Sequence, residues 1–472
     1  MGELGELLAL TSALATEFVE SLPGRPVLTE VDVEALRGAL GGPLPAGPMS
    51  AREVIQELAR AAEPGIAGMP SGRWFGFVLG GSLPAALAAD WLTSAWDQNA
   101  GLFAPAPAAA VVEEVAGEWI RELLGLPQGV SFGFVTGCQM AHVTCLAAAR
   151  HHVLAAHGWD VERDGLFGAP RVRVLAGANR HVTIDRALRF LGFGTAAVEV
   201  VAADGQGRIV PEALHAALEA AEGPTIVCVQ AGEINTGAFD SIEEAADAAA
   251  RHGAWLHVDG AFGLWAAAAP SLRHLLKGVE RADSWATDAH KWLNVPHDSG
   301  IAFCRHPDAH RAAMGIRAAY LIQADDDGPR DQMDWNPEFS RRARGFTVYA
   351  ALRSLGRSGV AELVERSCAH AHRFATELAR LPGCTILNDV VLNPGALPLR
   401  DRRGDSSGPR SRPSIRRSLD ERHQLARTSR DPHLGHQLVD KRRRRQPHTR
   451  RLRGRHPLTN RVSGDRLLPG AS

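Results

Sequence analysis

The chain lacks any stretch approaching the roughly 18 uncharged apolar residues of a membrane-crossing helix, so no membrane span is expected. Its first ten residues hold two glutamates and no basic residue, which removes the charged start of a secretory leader. Cysteine is scarce and scattered: Cys138, Cys145, Cys228, Cys304, Cys368 and Cys384 show neither metal-site spacing nor a disulfide framework. A reducing cytoplasm and no bound metal are the expectation. Two glycine pairs, Gly192 with Gly194 and Gly205 with Gly207, lack the third glycine and flanking elements of a dinucleotide-binding turn. That class of cofactor is set aside.

What is present is enough for a large core: 472 residues, 45% of them hydrophobic. Short apolar runs alternate with helical patterns, which implies an α/β domain with a mostly parallel central sheet flanked by helices. Strands are expected at 131–135, 171–175, 197–201, 225–230, 254–258, 284–287 and 300–304. Helices are expected at 139–156, 211–221, 241–252 and 272–281, with Pro211 at a helix start and Gly253 at a helix stop. The Gly/Pro-rich stretch 41–48 reads as a linker that closes an N-terminal helical arm, residues 1–48.

Three local patterns carry chemistry. Lys291 follows His290 where the run 284–287 gives way to a loop, and a lysine held there can form a Schiff base with an aldehyde. Asp259 ends the run His257, Val258, Asp259 and can face a pyridine nitrogen, where a charge-assisted hydrogen bond contributes about 1.5–3 kcal/mol. Thr136, Gly137 and Cys138 open a helix, whose free N–H groups and dipole favour a phosphate. Each feature alone has a plain explanation, since a lysine after a histidine is ordinarily solvent-facing and an aspartate ending a strand is ordinarily a turn residue. Together they match the needs of pyridoxal phosphate: an amine, a carboxylate and an anion cradle.

The motifs around these residues resemble those of the pyridoxal-phosphate-dependent amino-acid decarboxylases, the group that includes the aromatic-L-amino-acid and glutamate decarboxylases. Asp288-Ala289-His290-Lys291-Trp292 is similar to the family's lysine motif, and His257-Val258-Asp259 to its pyridine-nitrogen motif. The run from Ala231 through Thr236 to Asp240 resembles the loop whose threonine lies near the cofactor, His181 the histidine that stacks on the ring, and Tyr320 the tyrosine of the mobile catalytic loop. The resemblance extends from about residue 72 to about residue 393 and implies fold-type I architecture, a homodimer and an amino-acid substrate. It implies Lys291, His181 and Tyr320 as catalytic groups, with Thr136, Gly137, Cys138, Thr236, Asp259, Asp288 and His290 around the cofactor. Trp74, Phe75, Phe77, Gln98 and Phe103 are the candidate substrate pocket, with a lean toward aromatic substrates on general resemblance. His142 departs from the pattern, standing where relatives commonly carry Asn. A fold-type I aminotransferase or an aldehyde-forming relative would use the same cofactor set.

The resemblance also divides the chain into a large cofactor domain at 49–345 and the start of a small domain at 346–393. Residues 394–472 break the pattern, with 20 Arg and 1 Lys against 7 acidic residues and no Phe, Trp or Tyr. Such a segment cannot bury enough apolar surface to offset its ordering entropy, so disorder is expected. Relatives build the small domain from this part of the chain, which makes a shifted reading frame near Asn393, and with it an inactive product, a further expectation. The competing reading is a basic tail centred on Lys441 to Arg445 that neutralises nucleic-acid phosphates; without aromatic residues for stacking it would be non-specific, and it is the less favoured.

Overall fold

In the computed structural model, residues 2–220, 222–316, 328–382 and 385–393 are described. Tyr320 and the segment 394–472 lie outside them. The N-terminal arm forms helices α1 (Glu3–Ser21), α2 (Val33–Leu40) and α3 (Ala51–Ala62). Asp32 caps α2 by accepting from the N–H groups of Glu34 and Ala35, and Ser50 with Glu53 closes a reciprocal capping box on α3. Helices α4 (Pro84–Trp96) and α5 (Pro107–Leu123) follow, each opened by a proline.

The body then alternates: β1 (Ser131–Val135), α6 (Cys138–Ala155), the short α7 (Val161–Asp164), β2 (Arg173–Gly177), α8 (Val182–Phe190), β3 (Val198–Val201), α9 (Pro211–Glu219), β4 (Thr225–Gln230), α10 (Ile242–Arg251) and β5 (Trp255–Asp259). It continues with β6 (Ser284–Asp288), β7 (Gly300–Cys304), α11 (Pro307–Met314) and α12 (Gly345–Ala379), the last kinked at Gly356. The described strands form one seven-stranded sheet in the order β1-β7-β6-β5-β4-β2-β3. Every strand except the edge strand β3 is buried along its whole length, as a sheet covered on both faces requires.

Only β7 runs against the rest. β1 and β6 both pair antiparallel with β7, so they point the same way as the parallel set β6, β5, β4, β2 and β3. Six carboxyl ends therefore share one edge of the sheet, where ligands of open α/β folds bind. A fully buried ion pair braces this frame: Arg341 donates to Glu113 at 2.8 Å and to the carbonyls of Ala100 and Phe134 at 2.8 and 2.6 Å. It ties α5 to β1 and to the loop before α5.

The expected strands are all present, displaced by up to two residues, because the apolar runs fix which residues are buried better than where pairing stops. The helix expected at 272–281 is not there. Two short 3-10 turns, Arg273–Leu276 and Val279–Arg281, take its place, separated by Gly278 at φ +82°. A Cβ at Gly278 would lie 2.6 Å from the Glu243 backbone, so close packing against α10, not helical periodicity, shapes the segment.

Candidate active site

Five of the six co-directed strands lead into a candidate residue: β1 into Thr136, β2 into His181, β4 into Thr236, β5 into Asp259 and β6 into Asp288 and Lys291. Lys291 Nζ lies 3.0 Å from Asp288 Oδ2 and 5.9 Å from the Phe262 ring. Burial disfavours its charge, but Asp288 more than compensates, and the amine is held above its ordinary range. Asp288 also accepts from the backbone N–H of Cys138 at 2.6 Å and faces His290 Nε2 at 3.5 Å. The His290 Nδ1 accepts from the Ser299 N–H at 3.2 Å, which leaves Nε2 as the nitrogen bearing hydrogen toward Asp288.

Asp259 is buried, and burial alone would raise its carboxyl. Contact with His142, and then with His181 and the Lys291 amine, overcomes that and holds it well below the usual carboxylate range. His181 caps α8, its Nδ1 taking hydrogen bonds from the Thr183 hydroxyl at 2.7 Å and N–H at 3.4 Å. Burial lowers its pKa, so the ring is neutral and its face is available for stacking.

The turn between β1 and α6 opens a helix whose Cys138 N–H is given to Asp288, in contrast to the free donors expected from the sequence. A Cβ on Gly300 would sit 2.5 Å from the Gly137 carbonyl carbon, and one on Gly137 would reach 3.2 Å from His290. Both glycines keep that space clear at a helix N-terminus, where a phosphate is stabilised. With a buried ionised carboxylate, an amine paired with Asp288 and this helix N-terminus at one sheet edge, the residues fit pyridoxal phosphate. Cys138, His142 and Asp259 also bring donor atoms within 4.8 Å of one another. Burial and then the two carboxylates Asp288 and Asp259 drive the Cys138 thiol well above its ordinary range, so it stays a neutral thiol.

Other candidates fall differently. Thr236 is buried, but its hydroxyl is committed to the Gln206 carbonyl at 2.8 Å and to Glu233 at 3.0 Å. Its carbonyl accepts from Asn388 at 2.8 Å, which brings the last described stretch of chain onto this loop. Trp74 and Phe77 stack at 6.2 Å, yet Phe75 and Phe77 are 78% and 60% exposed, so they enclose no pocket within one chain. Gln98 turns back onto the Trp96 carbonyl at 2.7 Å, and the Phe103 N–H is held by Asp331 at 2.8 Å.

One feature escaped the sequence reading. Gly80 and Gly81 clamp the lysine loop: the Gly80 N–H bonds the His290 carbonyl at 3.2 Å and the Gly81 N–H bonds Asn294 Oδ1 at 2.8 Å. A Cβ on Gly80 would lie 2.0 Å from the Lys291 carbonyl oxygen, so no other residue permits this approach. The glycine pair just ahead of Pro84 was the available signal. His142, noted in the sequence as a departure from the motif, has Nε2 3.5 Å from Asp259 Oδ2 and is a neighbour of the carboxylate.

Residues 37–394 match the pyridoxal-dependent decarboxylase conserved domain, starting upstream of residue 72 and ending where the Arg-rich composition begins. The acidic amino acid decarboxylase GADL1 of Bos taurus is 31% identical over 326 residues, 67% of this chain and 61% of the relative. Tryptophan decarboxylase 1 of Oryza sativa subsp. japonica is 30% identical over 381 residues, 76% of this chain and 73% of the relative. The structure of Oryza sativa TDC with PLP and tryptamine superposes with a TM-score of 0.79 at 25% identity, covering 84% of each chain. This chain thus spans 61% of the length of the bovine relative. On the family match over most of its length, the chain belongs to the pyridoxal-dependent decarboxylase family.

Proposed function

We propose that the protein releases carbon dioxide from an L-amino acid to give the corresponding amine, with pyridoxal phosphate as cofactor. The observation that supports this most directly is the convergence of Lys291, Asp288, Asp259 and His181 at the carboxyl ends of adjacent strands in a member of this family. Bound pyridoxal phosphate supplies an aldehyde that takes up an amine and a ring that accepts the electron pair left when carbon dioxide departs. Lys291 would hold the cofactor covalently, Asp259 would keep the ring nitrogen protonated, His181 would stack on the ring, and the turn at Thr136, Gly137 and Cys138 would hold the phosphate. Tyr320, in the role that family resemblance gives it, would deliver the proton to the product carbon.

The test is a screen of the twenty amino acids with carbon dioxide and amine measured separately. Equal yields of the two are expected for the true substrate. Tyr320→Phe should lower amine yield relative to carbon dioxide and raise carbonyl by-products; an unchanged ratio and rate would remove Tyr320 from the reaction. Carbonyl product without carbon dioxide in the wild type would instead identify an aminotransferase.

The protein is further proposed to work as a homodimer in the cytoplasm. Helix α1 buries none of its 19 residues, and Leu4 and Leu8 are 68% and 59% exposed. So much apolar surface calls for a cover, and a second copy of the arm supplies it. The same contact would shelter Phe75 and Phe77 beside the lysine loop. The five described cysteines are all unpaired, which suits a reducing compartment. No described helix is long and apolar enough to cross a membrane. Deleting residues 1–48 should convert a dimer into a monomer in sedimentation experiments; a truncated protein that remains dimeric would exclude the arm as the interface.

A further inference from the structure

A line of five buried side chains runs inward from Asp259. His142 sits in α6 four positions after Cys138, with Nε2 3.5 Å from Asp259 Oδ2 and Nδ1 2.9 Å from His257 Nε2. His257 Nδ1 is 2.9 Å from Ser284 Oγ, and the Trp255 indole Nε1 is 2.9 Å from the same oxygen. The two imidazoles meet edge to face, with ring centres 5.2 Å apart.

The two ends allow one direction of donation. The indole N–H can only donate, so Ser284 Oγ accepts from Trp255 and has its own proton to give. An ionised Asp259 can only accept; the Cys138 thiol, 3.4 Å from the same His142 nitrogen, directs its own hydrogen to Asp259 Oδ1 at 4.0 Å, so His142 presents Nε2–H toward this pair of acceptors. With its hydrogen on Nε2, His142 turns a bare Nδ1 to His257, which donates to it from Nε2. His257 then has a bare Nδ1, which takes the Ser284 proton. Reversing the chain would set a bare imidazole nitrogen against the carboxylate, two electron-rich groups facing each other in a buried site. The competing outlet for the Ser284 proton is Cys145, and burial keeps that thiol protonated. Its Sγ is directed to the carbonyls of Trp285 and Phe303 at 3.4 and 3.5 Å. Burial also pushes His257 down to about 3, so that ring carries no charge at neutral pH.

We propose that His142 is a positioning residue for the decarboxylation, held by Trp255, Ser284 and His257 as a one-way hydrogen-bond relay that fixes it as an Nε2–H donor to Asp259. The relay orients the carboxylate and keeps it ionised toward the cofactor's ring nitrogen. That target rests on the site reading above; the relay itself is a property of this chain's own side chains. The imidazole of His142 spans the gap between Asp259 and His257, with a nitrogen for each.

The direct experiment is nitrogen-15 NMR of the histidine-labelled protein, prepared without cofactor and with it. His142 and His257 should both appear as neutral Nε2–H tautomers at neutral pH. Hydrogen on Nδ1 of either ring overturns the relay. Ser284→Ala, which removes the proton given to His257, should shift the His257 and His142 signals together even though Asp259 is untouched; a response confined to His257 counts against coupling. In a binding titration, His142→Leu should hold pyridoxal phosphate ~10- to 100-fold more weakly, the loss of one hydrogen bond to a charged group. His142→Asn, which restores an N–H donor, should recover part of that affinity and, unlike the leucine variant, a wild-type-like visible spectrum. Wild-type affinity in His142→Leu overturns the proposal. The thermal midpoints of both variants separate this effect from misfolding. Failure of the wild type to attach cofactor at Lys291 would instead refute the site reading, and the tautomers without cofactor still report on the relay.

Discussion

Lys291→Ala is expected to abolish covalent retention of the cofactor and reduce carbon dioxide release to background, while leaving the fold intact. Lys291 Nζ makes its ion pair with Asp288, and Asp288 keeps the Cys138 N–H and His290 after the change. The chain has only three lysines: Lys277, Lys291 and Lys441. Lys277 is 73% exposed and paired with Glu243 at 2.8 Å, at the other end of the segment that joins β5 to β6. Borohydride reduction followed by peptide mapping is therefore close to a three-way choice, and the label should fall on Lys291. Label on Lys277 or Lys441, or the same visible absorbance in wild type and Lys291→Ala, would show the assignment to be wrong.

Asp259→Asn should have the second largest effect. The substitution preserves shape but removes the charge that a protonated ring nitrogen needs, a loss of about 1.5–3 kcal/mol in that contact. Cofactor affinity should fall roughly 10- to 100-fold at one decade per ~1.4 kcal/mol, and turnover should fall further, because an unprotonated ring is a weaker electron acceptor. The sign of the pH dependence follows from the depressed pKa of Asp259. A carboxylate whose folded pKa lies below its unfolded value stabilises the folded state above the unfolded value, and that contribution is lost only as pH falls through the ordinary carboxylate range and below. Wild-type cofactor affinity should be flat across neutral pH on this account. Undiminished affinity in Asp259→Asn would dismiss the ring-nitrogen role.

The sheet was legible because its strands are continuous apolar runs, and Asp259 and Lys291 were legible because each follows such a run at a carboxyl end. What was not legible depends on pairs distant in sequence. The contact of His142 with His257 spans 115 positions and that of Gly81 with Asn294 spans 213. Neither leaves a periodic trace in the sequence, and His142 could be noticed only as a departure from a motif. The segment 272–281 misled for the opposite reason: its local pattern is helical, and the packing of Gly278 against Glu243 overrides it.

The glycine clamp on the lysine loop bears on how the molecule is made. Residues 80–83 must find residues 290–294 before the reactive amine has its final surroundings, so the site depends on a loop closure that spans 213 positions. Such contacts form late, after local helices and neighbouring strands, since their closure entropy is met only once the sheet exists. A nascent chain consequently has no competent lysine loop until the residues that follow β6 have emerged and folded back on the segment ahead of α4. Ligand captured at that stage would stabilise the last-formed contacts by mass action, making cofactor supply a determinant of how much newly synthesised protein escapes proteolysis.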